Sequence, residues 1–129
     1  TAFTGEEMDR IRSGLIQAGI RLSKELGLQK MSVEKLTEAV GIAKGSFYLF
    51  FGSKEDFILA IAEYASSETQ KMLLSRLNGR RRMSAREFME FFGEYLHSDL
   101  DLMNGLTVND FFWLKKHIKS RRCSTRTPR

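Results

Sequence analysis

Ser32-Val33-Glu34-Lys35-Leu36-Thr37-Glu38-Ala39-Val40-Gly41-Ile42-Ala43-Lys44-Gly45-Ser46-Phe47-Tyr48-Leu49-Phe50-Phe51-Gly52-Ser53-Lys54 is the stretch on which the fold turns. Ser32 is placed to cap a short helix with Val33, Leu36 and Val40 facing inward. Gly41 ends it, because glycine enters the left-handed conformation that a helix C-cap needs. Gly41-Ile42-Ala43 is a compact turn, and a second short helical segment runs from about Lys44 to Phe50. Two short helices joined by three or four residues are the spacing of a helix-turn-helix. Phe47 and Phe51 stand four apart and should bury one side of the second segment.

The flanks support this unit. Ile11, Leu15, Ala18, Leu22 and Leu26 recur at helical steps, so a preceding helix is expected from about Glu6 to Leu26, closed by Gly27. Ser53, followed by Glu55 and Asp56, caps a longer helix with Phe57, Ile61, Tyr64 and Met72 on its buried side, fading near Asn78-Gly79. Arg80, Arg81 and Arg82 read as a solvated connection. Ser84 and Glu87 have the spacing of a capping box, and the helix they start is expected to run to Asn104-Gly105. Thr107 caps a last helix with Phe111, Phe112, Leu114 and Ile118. No period-two alternation lasts long enough to argue a strand, so the fold class is all-α.

Composition sets the outer limits. The 129 residues hold 42% hydrophobic and 29% charged residues, enough for one ordinary domain or two very small ones. A single cysteine, Cys123, excludes an intramolecular disulfide and cysteine-based zinc clusters. No apolar run approaches a membrane span and no signal-peptide pattern opens the chain, so a cytoplasmic location and no membrane partner are expected. The net charge of +5 is misleading: Arg121 to Arg129 hold four arginines and no acid, leaving the rest at +1. Overall basicity is therefore weak evidence for nucleic-acid binding, and local residues must carry that case. Without a phosphate-binding glycine loop, a nucleophile elbow or paired histidine-carboxylate ligands, no catalytic residue, metal site or cofactor is expected.

The Lys44-Gly45-Ser46-Phe47-Tyr48 and Phe51-Gly52-Ser53-Lys54-Glu55 runs, with Ser32 to Thr37 before them, resemble the DNA-binding signature of the tetracycline-repressor (TetR) family over roughly residues 8 to 65. The resemblance implies an all-helical homodimeric transcription regulator, usually a repressor, that binds a palindromic double-stranded DNA operator and is released by a small effector. By that resemblance Lys44 to Phe50 would be the recognition helix. Gly45 would let the backbone approach DNA closely, and Ser46 would meet a phosphate or base edge. Tyr48 matches the family tyrosine on DNA, Lys54 a phosphate-contacting lysine, and Ser32 would add its hydroxyl and a helix N-terminal amide. Where the family often has histidine and tyrosine, this chain has Leu49 and Phe50, which shifts the expectation at Leu49 toward a thymine methyl.

The resemblance divides the chain into a helix-turn-helix domain at 1–52, an incomplete helical regulatory and dimerisation region at 53–120, and a basic disordered tail at 121–129. On that reading the chain is truncated at its C-terminus. Phe88, Phe92, Tyr95, Phe111 and Trp113 are candidates to line a small apolar effector pocket, or else to fill a core. His97 and His117 show no metal-ligand partner pattern. The competing reading is a truncated regulator that acts as a protein-interaction or ligand-binding module without occupying an operator itself.

Overall fold

The computed structural model describes residues 3–98, 100–101 and 107–124, with side chains described as far as residue 117. Its elements are helices throughout: α1 Gly5–Leu26, α2 Val33–Val40, a 3₁₀ segment Lys44–Leu49, α3 Lys54–Leu77, α4 Ala85–Leu96 and α5 Val108–Ser124. Each α-helix begins where the sequence supplies a side-chain acceptor for its orphan amides. Thr4 accepts from Glu7 N at 3.2 Å, Ser32 from Lys35 N at 3.2 Å and Ser53 from Asp56 N at 3.1 Å. At Ser84 the capping box with Glu87 is complete in both directions. Arg80 pairs with the same Glu87; its hydrogen bonds, led by Arg80, lower that carboxyl to about 2.

The N-terminal core is built from α1, α2, the 3₁₀ segment and the first turns of α3. Leu15, Met31, Leu36, Phe47, Phe57 and Ile61 are fully buried there. The rings of Phe47, Phe51 and Phe57 form a triangle with centroids 4.8 to 5.6 Å apart, within the range of favourable tilted aromatic pairs. The expected division between residues 52 and 53 falls just before α3, whose Phe57, Ile58 and Ile61 complete this same core. Gly41 adopts the left-handed conformation expected of it, with φ 75° and ψ 34°. Thr37 is buried with its hydroxyl donating to Val33 O at 2.9 Å, so the polar group is satisfied within its own helix.

Four expectations need correction. The buried arc of α1 keeps Leu15 and Ala18 but turns toward Ile16, Gly19, Ile20 and Ser23, leaving Ile11, Leu22 and Leu26 half-buried. The cause is the crossing with α3: a Cβ on Gly19 would come within 2.5 Å of Ile61 Cδ1 and 2.6 Å of Phe57 Cζ. The bare glycine marks the contact, and a count of large apolar residues misses it.

The segment after the turn is 3₁₀ rather than α and stops at Leu49. Six residues beginning Lys-Gly-Ser offer few i,i+4 contacts, and short 3₁₀ pieces are the usual outcome. Helix α4 ends at Leu96 rather than near Asn104, because Ser98 supplies competing local bonds: its hydroxyl donates to Tyr95 O at 2.7 Å and accepts from Leu100 N at 3.2 Å. Leu102, Asn104 and Gly105 lie outside the described residues.

Helix α5 begins after Thr107 as expected but continues to Ser124, so Arg121 to Ser124 are helical where a disordered tail was expected. Lysines and arginines in the last turns suit the negative end of a helix dipole. Residues 125–129 and the Ile118 side chain lie outside the described residues. Trp113 and Leu114 of α5 pack against the N-terminal core.

Candidate nucleic-acid interface

The 3₁₀ segment divides its residues by side. Phe47 is directed inward and fully buried, which fixes the segment against Phe51 and Phe57. That anchor turns the next two residues outward: Tyr48 is 56% and Leu49 60% exposed. The Tyr48 ring meets the Phe47 ring edge-on at 5.3 Å, which steadies it without hiding its hydroxyl end. A phenolic hydroxyl and an aliphatic tip therefore stand side by side in water, next to exposed Lys44 and Gly45. Nothing lies within 4 Å of where a Gly45 Cβ would be. The chain's own packing does not require a glycine at that position.

The remaining candidates sit around this segment in different states. Ser46 is half-buried and its amide bonds to Ala43 O at 3.0 Å. Ser32 spends an acceptor on Lys35 N, leaving its hydroxyl hydrogen to donate. Both lysines are engaged within the chain. Lys44 Nζ lies 3.0 Å from Glu34 Oε1, and Lys54 Nζ donates to Gln29 O at 2.9 Å. An ammonium has three donors, so one such bond leaves either lysine able to take a phosphate oxygen. Ser32 caps α2, Lys44, Gly45, Ser46, Tyr48 and Leu49 lie on the 3₁₀ segment, and Lys54 opens α3.

Three residues that sequence reading passed over shape this region. Glu34 holds Lys44. Gln29, in the turn between α1 and α2, offers its carbonyl to Lys54 and its side-chain amide to Asp110 Oδ1 at 3.1 Å. Asp110 is only 1% exposed and also accepts from Thr107 N at 3.0 Å. Burial pulls the Asp110 carboxyl upward, but the bonds from the Thr107 amide, Gln29 and the Thr107 hydroxyl outweigh it and leave the group below its ordinary value. No spacing rule links Gln29 to a residue 81 positions away.

The aromatic candidates are divided between α4 and α5. Phe88, Phe92 and Tyr95 lie along α4 as a row of stacked rings with centroids 6.2 and 6.4 Å apart. Phe111 is exposed on α5 beside Phe112. Trp113 turns the other way, stacked on His117 at 3.9 Å and packed toward the N-terminal core. A groove between α3 and α4 is lined by Glu68, Lys71, Met72, Ser75, Arg76 and Glu94. Burial first, and then the Asp101 charge, raises the Tyr95 phenol. No described helix is long and apolar enough to cross a membrane, and no described group of three or more His, Cys, Asp or Glu could hold a metal ion.

Comparison with known proteins bears on the N-terminal part. The family described as bacterial regulatory proteins, tetR family, matches residues 15–61. The uncharacterized HTH-type transcriptional regulator YvdT of Bacillus subtilis (strain 168) is 40% identical over 65 residues, 50% of this chain and 34% of the relative. The HTH-type transcriptional repressor DhaR of Mycobacterium sp. (strain GP1) is 27% identical over 88 residues, 68% of this chain and 44% of the relative. The chain thus spans about a third of the first relative and less than half of the second. Among solved structures, a gamma-butyrolactone receptor (ArpA like protein) matches with a TM-score of 0.60 and 24% identity, covering 75% of this chain and 50% of the other, a likeness of fold. The family match lies on the helix-turn-helix core just described and HTH-type regulators are among the relatives, so residues 15–61 are similar to the N-terminal part of the tetR family of bacterial regulatory proteins.

Proposed function

We propose that the chain is a sequence-specific DNA-binding repressor, acting in the cytoplasm and without enzymatic activity. Residues 1–52 dock on a palindromic operator, and the helices of 53–120 couple two copies into a homodimer. The observation that carries this reading is the outward pair Tyr48-Leu49, fixed by buried Phe47 on a segment braced by α2. A hydroxyl and an aliphatic group at adjacent positions suit a major-groove surface, where base edges and thymine methyls are read together. Lys44, Lys54 and Ser32 supply backbone contacts around that pair, Ser46 meets a phosphate or base edge, and Gly45 lets the strand come close. The word repressor in the name of the DhaR relative supports the sign of regulation.

The exposed apolar residues of α4 and α5 support the second half of the proposal. Phe88, Met89, Phe92, Phe111 and Phe112 leave a large apolar area in water, and such areas normally find a partner or a ligand. In this reading they form the homodimer contact and, with Tyr95 and Trp113, contribute to a site for a small apolar effector. The experiment is selection of duplexes from a random pool by the purified chain at stated salt, with Tyr48→Ala in parallel. Enrichment of a palindromic sequence by the parent and its loss with Tyr48→Ala is the expected result. Equal retention of all sequences by both proteins would overturn the reading.

A further inference from the structure

The Glu34–Lys44 contact joins the first turn of α2 to the first residue of the 3₁₀ segment, ten positions on, with the acceptor and donor 3.0 Å apart. Both side chains are well exposed, 71% for Glu34 and 59% for Lys44. An ion pair in such a position contributes little to stability, typically about 0–1 kcal/mol. A carboxylate in a helix's first turn is favourable to the dipole, but that does not require it to reach across to Lys44. The pair's location is its distinctive property: it borders the surface that carries Gly45, Tyr48 and Leu49.

We propose that Glu34 is a positioning residue that restrains Lys44, so that this lysine engages DNA only when a phosphate is presented in the geometry that displaces the carboxylate. The inference rests on the DNA-binding reading above and adds a discriminating step to it. With the pair closed, Glu34 and Lys44 present no net charge to a phosphate backbone, so loosely docked, unselected DNA gains nothing from Lys44. On a selected site, Tyr48 and Leu49 fix the register, and the phosphate that then faces Lys44 replaces Glu34 as its partner. Glu34 thereby weakens binding to arbitrary sequence more than binding to the right one. Specificity is a difference of affinities, and a repulsive element aimed at the wrong partner is one of the ways to build it.

The test compares the parent, Glu34→Gln, Lys44→Ala and the double variant. Two probes are used: duplexes enriched by the parent from a random pool, and a short duplex of mixed sequence, each titrated across salt. Glu34→Gln should bind the mixed duplex more tightly, with a salt slope steeper by about 0.9, the signature of one added phosphate contact. Its advantage over the parent should shrink about 3.5-fold between ~50 and ~200 mM salt, and its preference for enriched over mixed duplex should fall. In the Lys44→Ala background Glu34→Gln should change neither slope nor preference. An unchanged slope and preference in Glu34→Gln, or an equal effect with and without Lys44, overturns the role of Glu34 while leaving DNA binding intact. Weaker binding of both probes at an unchanged slope would mean that Glu34 only supports α2, which thermal melting would register as well. A parent that enriches no sequence and binds neither probe removes the DNA-binding reading itself, and the role of Glu34 with it.

Discussion

Gln29 and Asp110 meet side chain to side chain at 3.1 Å, although 81 positions separate them in sequence. The same Gln29 gives its backbone carbonyl to Lys54 at the start of α3. One residue in the turn before α2 therefore joins the first turn of α5 to the first residue of α3. Trp113 and Leu114, about one turn further along α5, lie against the N-terminal core. Helix α5 is thus attached to the helix-turn-helix core by a specific polar bond as well as by apolar contact.

Asp110→Ala should loosen that attachment. It would take the acceptor from the Thr107 amide and the Gln29 side chain, both on exposed residues that water can reach, a loss of about 0.5–1.5 kcal/mol. Hydrogen exchange should accelerate in the first turns of α5 while the core amides of α1 and α3 stay protected. The pH dependence has a definite sign. A carboxyl held below its ordinary value contributes stability that is complete above the unfolded value of about 3.9 and is lost as pH falls through the folded value. The first turns of α5 should therefore open on acidification in the parent and show no such titration in Asp110→Ala. Identical exchange and titration in both proteins would show that the contact carries no energy.

Gly19→Ala sets two effects against each other. Alanine is the better helix former by roughly 0.5–1 kcal/mol. The new methyl group would, however, sit 2.5 Å from Ile61 and 2.6 Å from Phe57, both core residues with nowhere to retreat. Overpacking of this kind costs typically about 1–3 kcal/mol, so the net change should be destabilising. Phe51→Ala, which empties one corner of the aromatic triangle, should cost more, about 3–5 kcal/mol. Denaturant midpoints decide the order, and a stabilised Gly19→Ala would show that α1 and α3 cross elsewhere.

The reach of sequence reading follows from the range of each interaction. Capping residues, the Gly41 turn and the burial of Phe47 and Phe51 depend on neighbours within a few positions, and all of these were legible. The exposed side of the 3₁₀ segment was legible for the same reason, because burying Phe47 leaves Tyr48 and Leu49 outward. Gly19 was not, since its role is the absence of a side chain where another helix crosses. The ends of α4 and α5 were missed by competition: Ser98 offers the backbone a local alternative, while Thr107 and Asp110 reinforce a helix that then runs further than its apolar pattern suggests. Gln29 and Glu34 carried no signal, because polar surface residues acquire meaning only from partners that the fold brings to them.

Gly45→Ala and Tyr48→Ala separate folding from DNA recognition. At Gly45 the added methyl group meets open space and the φ angle is not positive. Stability should hold, or rise by about 0.4–1 kcal/mol through a less flexible unfolded chain. Tyr48 is more than half exposed, so its truncation should also leave melting little changed. Both variants should nevertheless lose affinity for duplexes enriched by the parent. If Tyr48 contacts a base edge, the preference for those duplexes falls; if it contacts phosphate, all sequences weaken alike. Parent-like affinity in both variants would remove the 3₁₀ segment from the interface.

Phe92→Ser with Phe112→Ser tests the proposed self-association. Phe92 is 42% and Phe112 61% exposed, on α4 and α5 respectively. Replacing exposed side chains should leave the fold of each copy nearly as stable as before. If these faces join two copies, however, the double variant should sediment as a monomer at concentrations where the parent is a dimer. Affinity for a palindromic duplex should fall with it, because two half-sites are read together only when two recognition segments are coupled. Binding to a single half-site should not change, which distinguishes lost coupling from a damaged N-terminal domain. A parent that sediments as a monomer and binds a half-site as tightly as the full palindrome would place dimerisation outside this part of the chain.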